Sequence, residues 1–170
     1  MRVKSQDIVL GGISVALIVI FLYLGTIIIT NKMFFMALSI ILGSIPYIKG
    51  GIRPGVIVYL ASATLGFLIV PNKLYIGVYI IFGIYPFVKL VAERFKPLIE
   101  YIIKYTVFNI LLIFAYFIYA GLVNLGPLFK SSYLAIGLFI SFQVILYIFD
   151  FAFTKFIIFI EDRILKRLKY

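Results

Sequence analysis

Four side chains in this sequence, Lys104, Asn109, Gln143 and Asp150, could do polar chemistry from within otherwise apolar stretches. A charge in hydrocarbon is costly enough that such groups face a protein interior or reach an interface, and they commonly mark proton relays or ion paths. Asp150 lies eleven residues before Glu161, roughly 16 Å along a helix. Lys104 and Asn109 approach from the preceding apolar stretch at comparable depth, so an Asp150–Lys104 contact is expected, with proton or ion coupling as the sharper alternative. Lys155, five residues from Asp150, is a poor helical match for it.

The wider inventory excludes much. The chain has no cysteine and no histidine, which removes disulfides, thiolate or imidazole metal sites and every Ser-His or Cys-His nucleophile. Asp150 is the only carboxylate well inside an apolar stretch, so paired-carboxylate proteolysis lacks its second member. No G-x-x-x-x-G-K-[ST] loop occurs, so nucleotide hydrolysis by that route is absent. No enzyme, metal or cofactor is expected.

A second group of polar residues comprises Asn31, Lys32, Asn72, Lys73, Asn124 and Lys130, with Ser131 and Ser132. No carboxylate accompanies them. Between low-dielectric walls three lysines and several amides focus a positive potential that attracts a small anionic solute. Asparagine also suits turns, so these residues equally read as solvated loop tips.

The elements that must hold these residues are legible from composition. Apolar residues make up 65% and charged residues 13% of the 170 positions, far from the proportions of a soluble domain. Six stretches long enough to cross hydrocarbon as helices run Ile8–Thr30, Phe34–Ile48, Pro54–Val70, Leu74–Val91, Leu98–Val123 and Tyr133–Ile160. The expected fold is all-α, a single six-helix transmembrane domain over 1–170 in contact with the lipid bilayer. The second and third stretches rise roughly 22–26 Å, so they either thin the bilayer or extend into their connectors.

Thirteen of the sixteen basic residues fall on the amino-terminal segment, alternate connectors, the adjoining helix ends and the tail, and only Lys32, Lys73 and Lys130 on the other connectors. The positive-inside rule then puts both termini in the cytoplasm of a cell membrane, prokaryotic by expectation. The same rule accounts for most of the net charge of +10, so no nucleic-acid partner is inferred. Met1–Ile29 reads as a retained helix because its apolar run exceeds a signal-peptide core. The tail 161–170 places Ile164, Leu165 and Leu168 on one face among bases, as in a helix lying on headgroups.

Two segments carry the same markers in the same order. Leu24-Gly25, Asn31-Lys32, Gly43 and Pro46-Tyr47-Ile48-Lys49 recur as Leu65-Gly66, Asn72-Lys73, Gly83 and Pro86-Phe87-Val88-Lys89. Units at about 8–49 and 54–91 would be parallel repeats about an axis along the membrane normal. Helices five and six, 98–160, would form a diverged third unit. Each repeated proline removes a backbone donor and can bend its helix, and the lysine three residues on can snorkel to headgroups. The motif is an anchoring device on one reading and a gating hinge on the other. Tyr75, Tyr79 and Phe82 form a stripe that either lines an aromatic pocket or packs between helices. Small residues Gly12 and Ala16 let another backbone approach helix one, within the chain or from a partner, and Ala61 to Gly66 forms a looser cluster.

Helix count, short outer turns and the opening Ser5-Gln6-Asp7-Ile8-Val9-Leu10-Gly11-Gly12-Ile13-Ser14-Val15-Ala16-Leu17 resemble the substrate-binding S components of energy-coupling factor transporters. Gly12 stands where that family commonly has alanine in an A-x-x-x-A coupling surface. The resemblance implies capture of a vitamin-like small-molecule solute from outside, and docking through helix one onto a transmembrane coupling subunit driven by two ATPases. The alternative is a non-transporting membrane scaffold similar to the rod-shape protein MreD.

Overall fold

The computed structural model describes residues 5–121 and 132–160, and every regular element among them is helical. In chain order these are α1 (Ser5–Ile27), a 3-10 turn (Ile29–Asn31), α2 (Lys32–Leu42), α3 (Ser44–Gly50), α4 (Ile52–Ile69), α5 (Lys73–Phe82), α6 (Tyr85–Ala92), α7 (Pro97–Ala120) and α8 (Ser132–Ile160). They make six apolar helical stretches long enough to cross a membrane, at Ile8–Ile27, Lys32–Gly50, Ile52–Ile69, Lys73–Ala92, Pro97–Ala120 and Ile136–Ile160. The second stretch is 19 residues and the third 18, so both reach into the connectors and rise about 27 Å or more.

Proline placement explains where the helices begin. Pro46, Pro54, Pro86 and Pro97 all lie in the first turn of a helix, where the missing N–H has no carbonyl to serve and the fixed φ is already helical. Inside the long apolar stretches this has a consequence. The second stretch stops at Leu42 and restarts at Ser44, and the fourth stops at Phe82 and restarts at Tyr85. Gly43 and Gly83 occupy the two breaks with φ near −60° and ψ near 0, at −59°/−18° and −65°/−9°. The repeated G-x-x-P motif therefore interrupts its helix before the proline. Helices α7 and α8 run through without such a break, unlike the repeats.

The chain divides into two compact units, Met1–Lys104 and Tyr105–Tyr170. In the first, α1 packs along α2 and α4, α3 lies on α4, and α6 lies on α3. Its core holds Ile18, Leu22, Ile40, Tyr47, Ile76, Tyr79 and Tyr85, with small polar side chains Ser14, Ser39 and Ser62 buried among them. Small residues set the helix spacing, since in an apolar solvent close packing rather than the hydrophobic effect drives helices together. A Cβ on Gly11 would stand 3.3 Å from Val58, one on Gly66 2.6 Å from Ile76, and one on Gly55 within 2.2 Å of the Tyr47 ring. The loose Ala61-to-Gly66 cluster resolves into Ser62 and Gly66, four apart and both buried.

Local chemistry closes the turns. Gly51, at φ +83°, allows the chain to reverse from α3 to α4, a conformation that disfavours any side chain with a Cβ. In the second unit, Gln143 Nε2 donates to Asn109 Oδ1 at 2.7 Å and Asn109 Nδ2 donates to the Tyr105 carbonyl at 2.8 Å, joining α7 to α8.

These contacts separate two kinds of glycine. Gly55→Ala is expected to lower stability by about 1–3 kcal/mol through overpacking against Tyr47. Gly12→Ala and Gly137→Ala should be neutral, because nothing lies within 4 Å of either added Cβ. Thermal unfolding in detergent checks the contrast, and equal effects at all three positions would refute this packing.

Candidate functional site

The expected polar residues at the loop tips separate into a turn-closing pair, Asn72 and Lys73, and a second pair, Asn31 and Lys32. Asn72 is the N-cap of α5, and its Oδ1 accepts from the Tyr75 N–H at 3.0 Å. Lys73 donates to the carbonyls of Phe67 and Val70, the latter at 3.1 Å, and its ammonium sits 4.9 Å from the centre of the Phe67 ring. Both residues thus close the turn between α4 and α5 by satisfying helix-end groups that have no partner within the helix. Asn31 also stands at an N-cap, of α2, but makes no side-chain capping bond and is exposed. Lys32 is half-buried, and its backbone carbonyl accepts from the Tyr75 hydroxyl at 2.8 Å. That bond brings the two Asn-Lys turns to the same end of the unit. Asn124, Lys130, Ser131 and the tail 161–170 lie outside the described residues.

The aromatic stripe is a packing feature. Tyr75 and Tyr79 are buried, and Tyr79 shares a 2.7 Å hydrogen bond with Ser62. Tyr75 fits because Gly25 has no side chain: a Cβ there would lie 2.2 Å from its hydroxyl. An apolar groove of about 300 Å³ lined by Val19, Ile20, Tyr23, Leu24 and Ile69 opens on α1 and α4.

On α1 the glycine that packs inward is Gly11, one residue before the expected pair. Gly12 and Ala16 are exposed, alongside Ile13, Leu17 and Ile20. Among the described residues no helix covers the Gly12–Ala16 face.

At the opposite end lies a charge cluster that the sequence reading did not single out. Lys89, expected to snorkel outward, is 1% exposed and pairs with Glu93 at 2.7 Å. Glu93 also stands 3.5 Å from Lys104, and Lys104 pairs with Glu100 at 2.6 Å. The four alternate in sign and link the end of α6 to the start of α7. The signal was present as two i,i+4 pairs, Lys89/Glu93 and Glu100/Lys104. Lys49, at the same motif position in the first marker set, is exposed. Asp150 is half-buried and its backbone carbonyl accepts from Thr154 at 2.8 Å, while Lys155 sits 5.5 Å from the centre of the Phe151 ring. Gln143 Oε1 is buried without a hydrogen-bond partner among the described residues.

The two halves of the proposed duplication make equivalent contacts. The Leu-Gly glycine of each unit, Gly25 or Gly66, meets the residue four positions after the turn asparagine, Phe35 or Ile76. The residues after the repeated prolines, Tyr47 and Phe87, meet each other with ring centres 6.4 Å apart. Comparison with known proteins adds no relative: no family model matches the chain, and neither a characterised protein nor a solved structure is significantly similar to it.

The charge cluster generates a directional expectation. Glu93→Ala takes from Lys89 its carboxylate at 2.7 Å and should destabilise by about 1–3 kcal/mol, below the usual cost of breaking a fully buried pair because Glu93 is partly exposed. Lys89→Met should cost less, since Glu93 keeps Lys104 and a buried charge is removed. Thermal melts of both variants in detergent test this, and a larger loss for Lys89→Met would reverse the assignment.

Proposed function

We propose that the chain is a multi-pass membrane protein with both termini cytoplasmic, and that it serves as a transport subunit. It binds a small, anionic or vitamin-like solute from the outer face and couples to partner subunits for uptake. The single observation that carries this reading is the pair of interrupted helices. Transporter folds built from repeats place Gly/Pro-broken segments at corresponding positions of the two halves, around the solute path. Here the breaks at Gly43 and Gly83 occupy corresponding positions, and α3 packs on α6.

Further support comes from the surface. Ile13, Ile57, Leu60, Phe67 and Leu68 are all exposed, an apolar exterior suited to lipid and far larger than soluble monomers carry. Lys49, Arg53, Arg94 and Lys96 lie at the end away from the Asn-Lys turns, as a cytoplasmic face requires. The exposed Gly12–Ala16 face of α1 is free to receive a coupling subunit, and Lys32 with Asn31 is the pair best placed to meet an anionic solute.

The scaffold reading keeps one specific observation in its favour: Asn72 and Lys73 are occupied in closing a turn. The two readings differ in what the purified protein retains. Mass spectrometry of small molecules released after gentle purification is expected to find an anionic or vitamin-like compound, and Lys32→Glu should lose it while the melting temperature holds. A preparation that retains nothing small and brings down a cell-wall assembly protein would establish the scaffold instead.

Docking has its own test. Gly12→Leu with Ala16→Leu should leave the fold intact and abolish co-purification of a transmembrane coupling subunit from native membranes. Undiminished recovery of the complex would dismiss this face as the docking surface.

A further inference from the structure

The two helix breaks are in contact with each other, and this has consequences for how the first unit can move. A Cβ on Gly43 would stand 3.9 Å from Pro86 Cγ, so the first break lies against the motif of the second. The Tyr47 and Phe87 rings, directly after the two prolines, touch at 6.4 Å between centres. Helices α3 and α6 pack together below the breaks, and α2 and α5 pack together above them.

Each break is also a place where bending is cheap. An unbroken helix resists bending because its i→i−4 bonds must stretch, and sharp bends concentrate at prolines where one bond is already missing. Two carbonyls in the last turns before the breaks accept hydrogen bonds from hydroxyls. Ser44 Oγ donates to the Ile41 carbonyl at 2.6 Å, and the Tyr59 hydroxyl donates to the Ile80 carbonyl at 2.5 Å. A hydroxyl can swing to follow its acceptor, whereas a helical N–H is fixed by the backbone. These two carbonyls can therefore keep a partner through a change of angle, which matters where no water can replace it.

We propose that the Gly43–Pro46 and Gly83–Pro86 breaks form one coupled joint, in which α3 and α6 swing together against α2 and α5. The Tyr47–Phe87 contact makes the two bends interdependent: a change of angle at one moves the ring against which the other is packed. Through the Lys89–Glu93–Lys104 contacts the displacement of α6 reaches the start of α7. The joint does not require the transport reading, because a scaffold could bend in the same way.

A chain without cysteine is suited to pairwise spin labelling. Full-length protein in lipid nanodiscs carries nitroxides at Met33→Cys and Lys49→Cys, which straddle the first break, or at Leu74→Cys and Arg94→Cys, which straddle the second. Pulsed dipolar spectroscopy should find a two-component distance distribution for each pair. Pro86→Ala, which restores a backbone donor at the second break, should remove the minor component from both pairs. Adding Phe87→Ala should bring the minor component back in the first pair alone. A single narrow distance for both pairs in the otherwise unaltered protein would show fixed kinks and overturn the joint. Loss confined to the second pair in Pro86→Ala would show independent bends and overturn the coupling. If Pro86→Ala fails to fold, Pro46→Ala read at the second pair gives the reciprocal test. Failure of either kind leaves solute retention unaffected, so the transport reading is judged separately.

Discussion

The course of the backbone in the first unit follows from one constraint: a backbone N–H or C=O away from water must find a partner, at a cost of several kcal/mol when it does not. Continuous helix meets this demand internally, which is why every regular element among the described residues is helical. The constraint becomes visible where a proline withholds a donor. The chain answers at Pro46 and Pro86 by ending one helix and starting another, so that each proline lands in a first turn where no donor is called for. Hydroxyls of Ser44 and Tyr59 donate to the Ile41 and Ile80 carbonyls in the turns before the two breaks. At the α4–α5 turn, Lys73 and Asn72 do the same for helix ends. Polar residues that look available for a ligand are in this way recruited to keep the backbone paired.

The second demand is close approach. Side chains on helices in lipid gain little from leaving one apolar surrounding for another, so contact quality decides which faces meet. Gly11, Gly25, Gly55 and Gly66 open the spaces that Val58, Tyr75, Tyr47 and Ile76 fill. These spaces give the large tyrosines a buried position, and buried hydroxyls require partners, which Ser62 and the Lys32 carbonyl provide. Packing and hydrogen bonding are thus solved by the same residues. Among the described residues, Gly12 and Ala16 stay exposed and set no such spacing.

Much of this was legible in advance. The six stretches were recognisable from length and hydropathy alone, within a few residues at each end, because crossing hydrocarbon demands about 20 apolar residues in any context. The positions of the two helix breaks were marked in the sequence because glycine and proline act on the backbone locally. Placement of the packing glycine was not. Gly11 and Gly12 are adjacent, identical in chemistry, and about 100° apart around the helix, so only the position of α4 distinguishes them. Lys49 and Lys89 occupy the same motif position, yet one is exposed and the other buried in an ion pair, because only the second has a glutamate four residues on and α7 beside it.

What the amino-acid order determined by itself is therefore the set of local choices: which segments are helical, where prolines force them to stop, and which turns asparagine and lysine can close. These depend on neighbours within a few positions along the chain. Which polar groups are consumed by the fold and which stay exposed was decided only by the tertiary arrangement. That outcome depends on what a second helix brings to within a few ångströms, as when Tyr75 reaches the Lys32 carbonyl 43 residues away, and no local spacing carries that information.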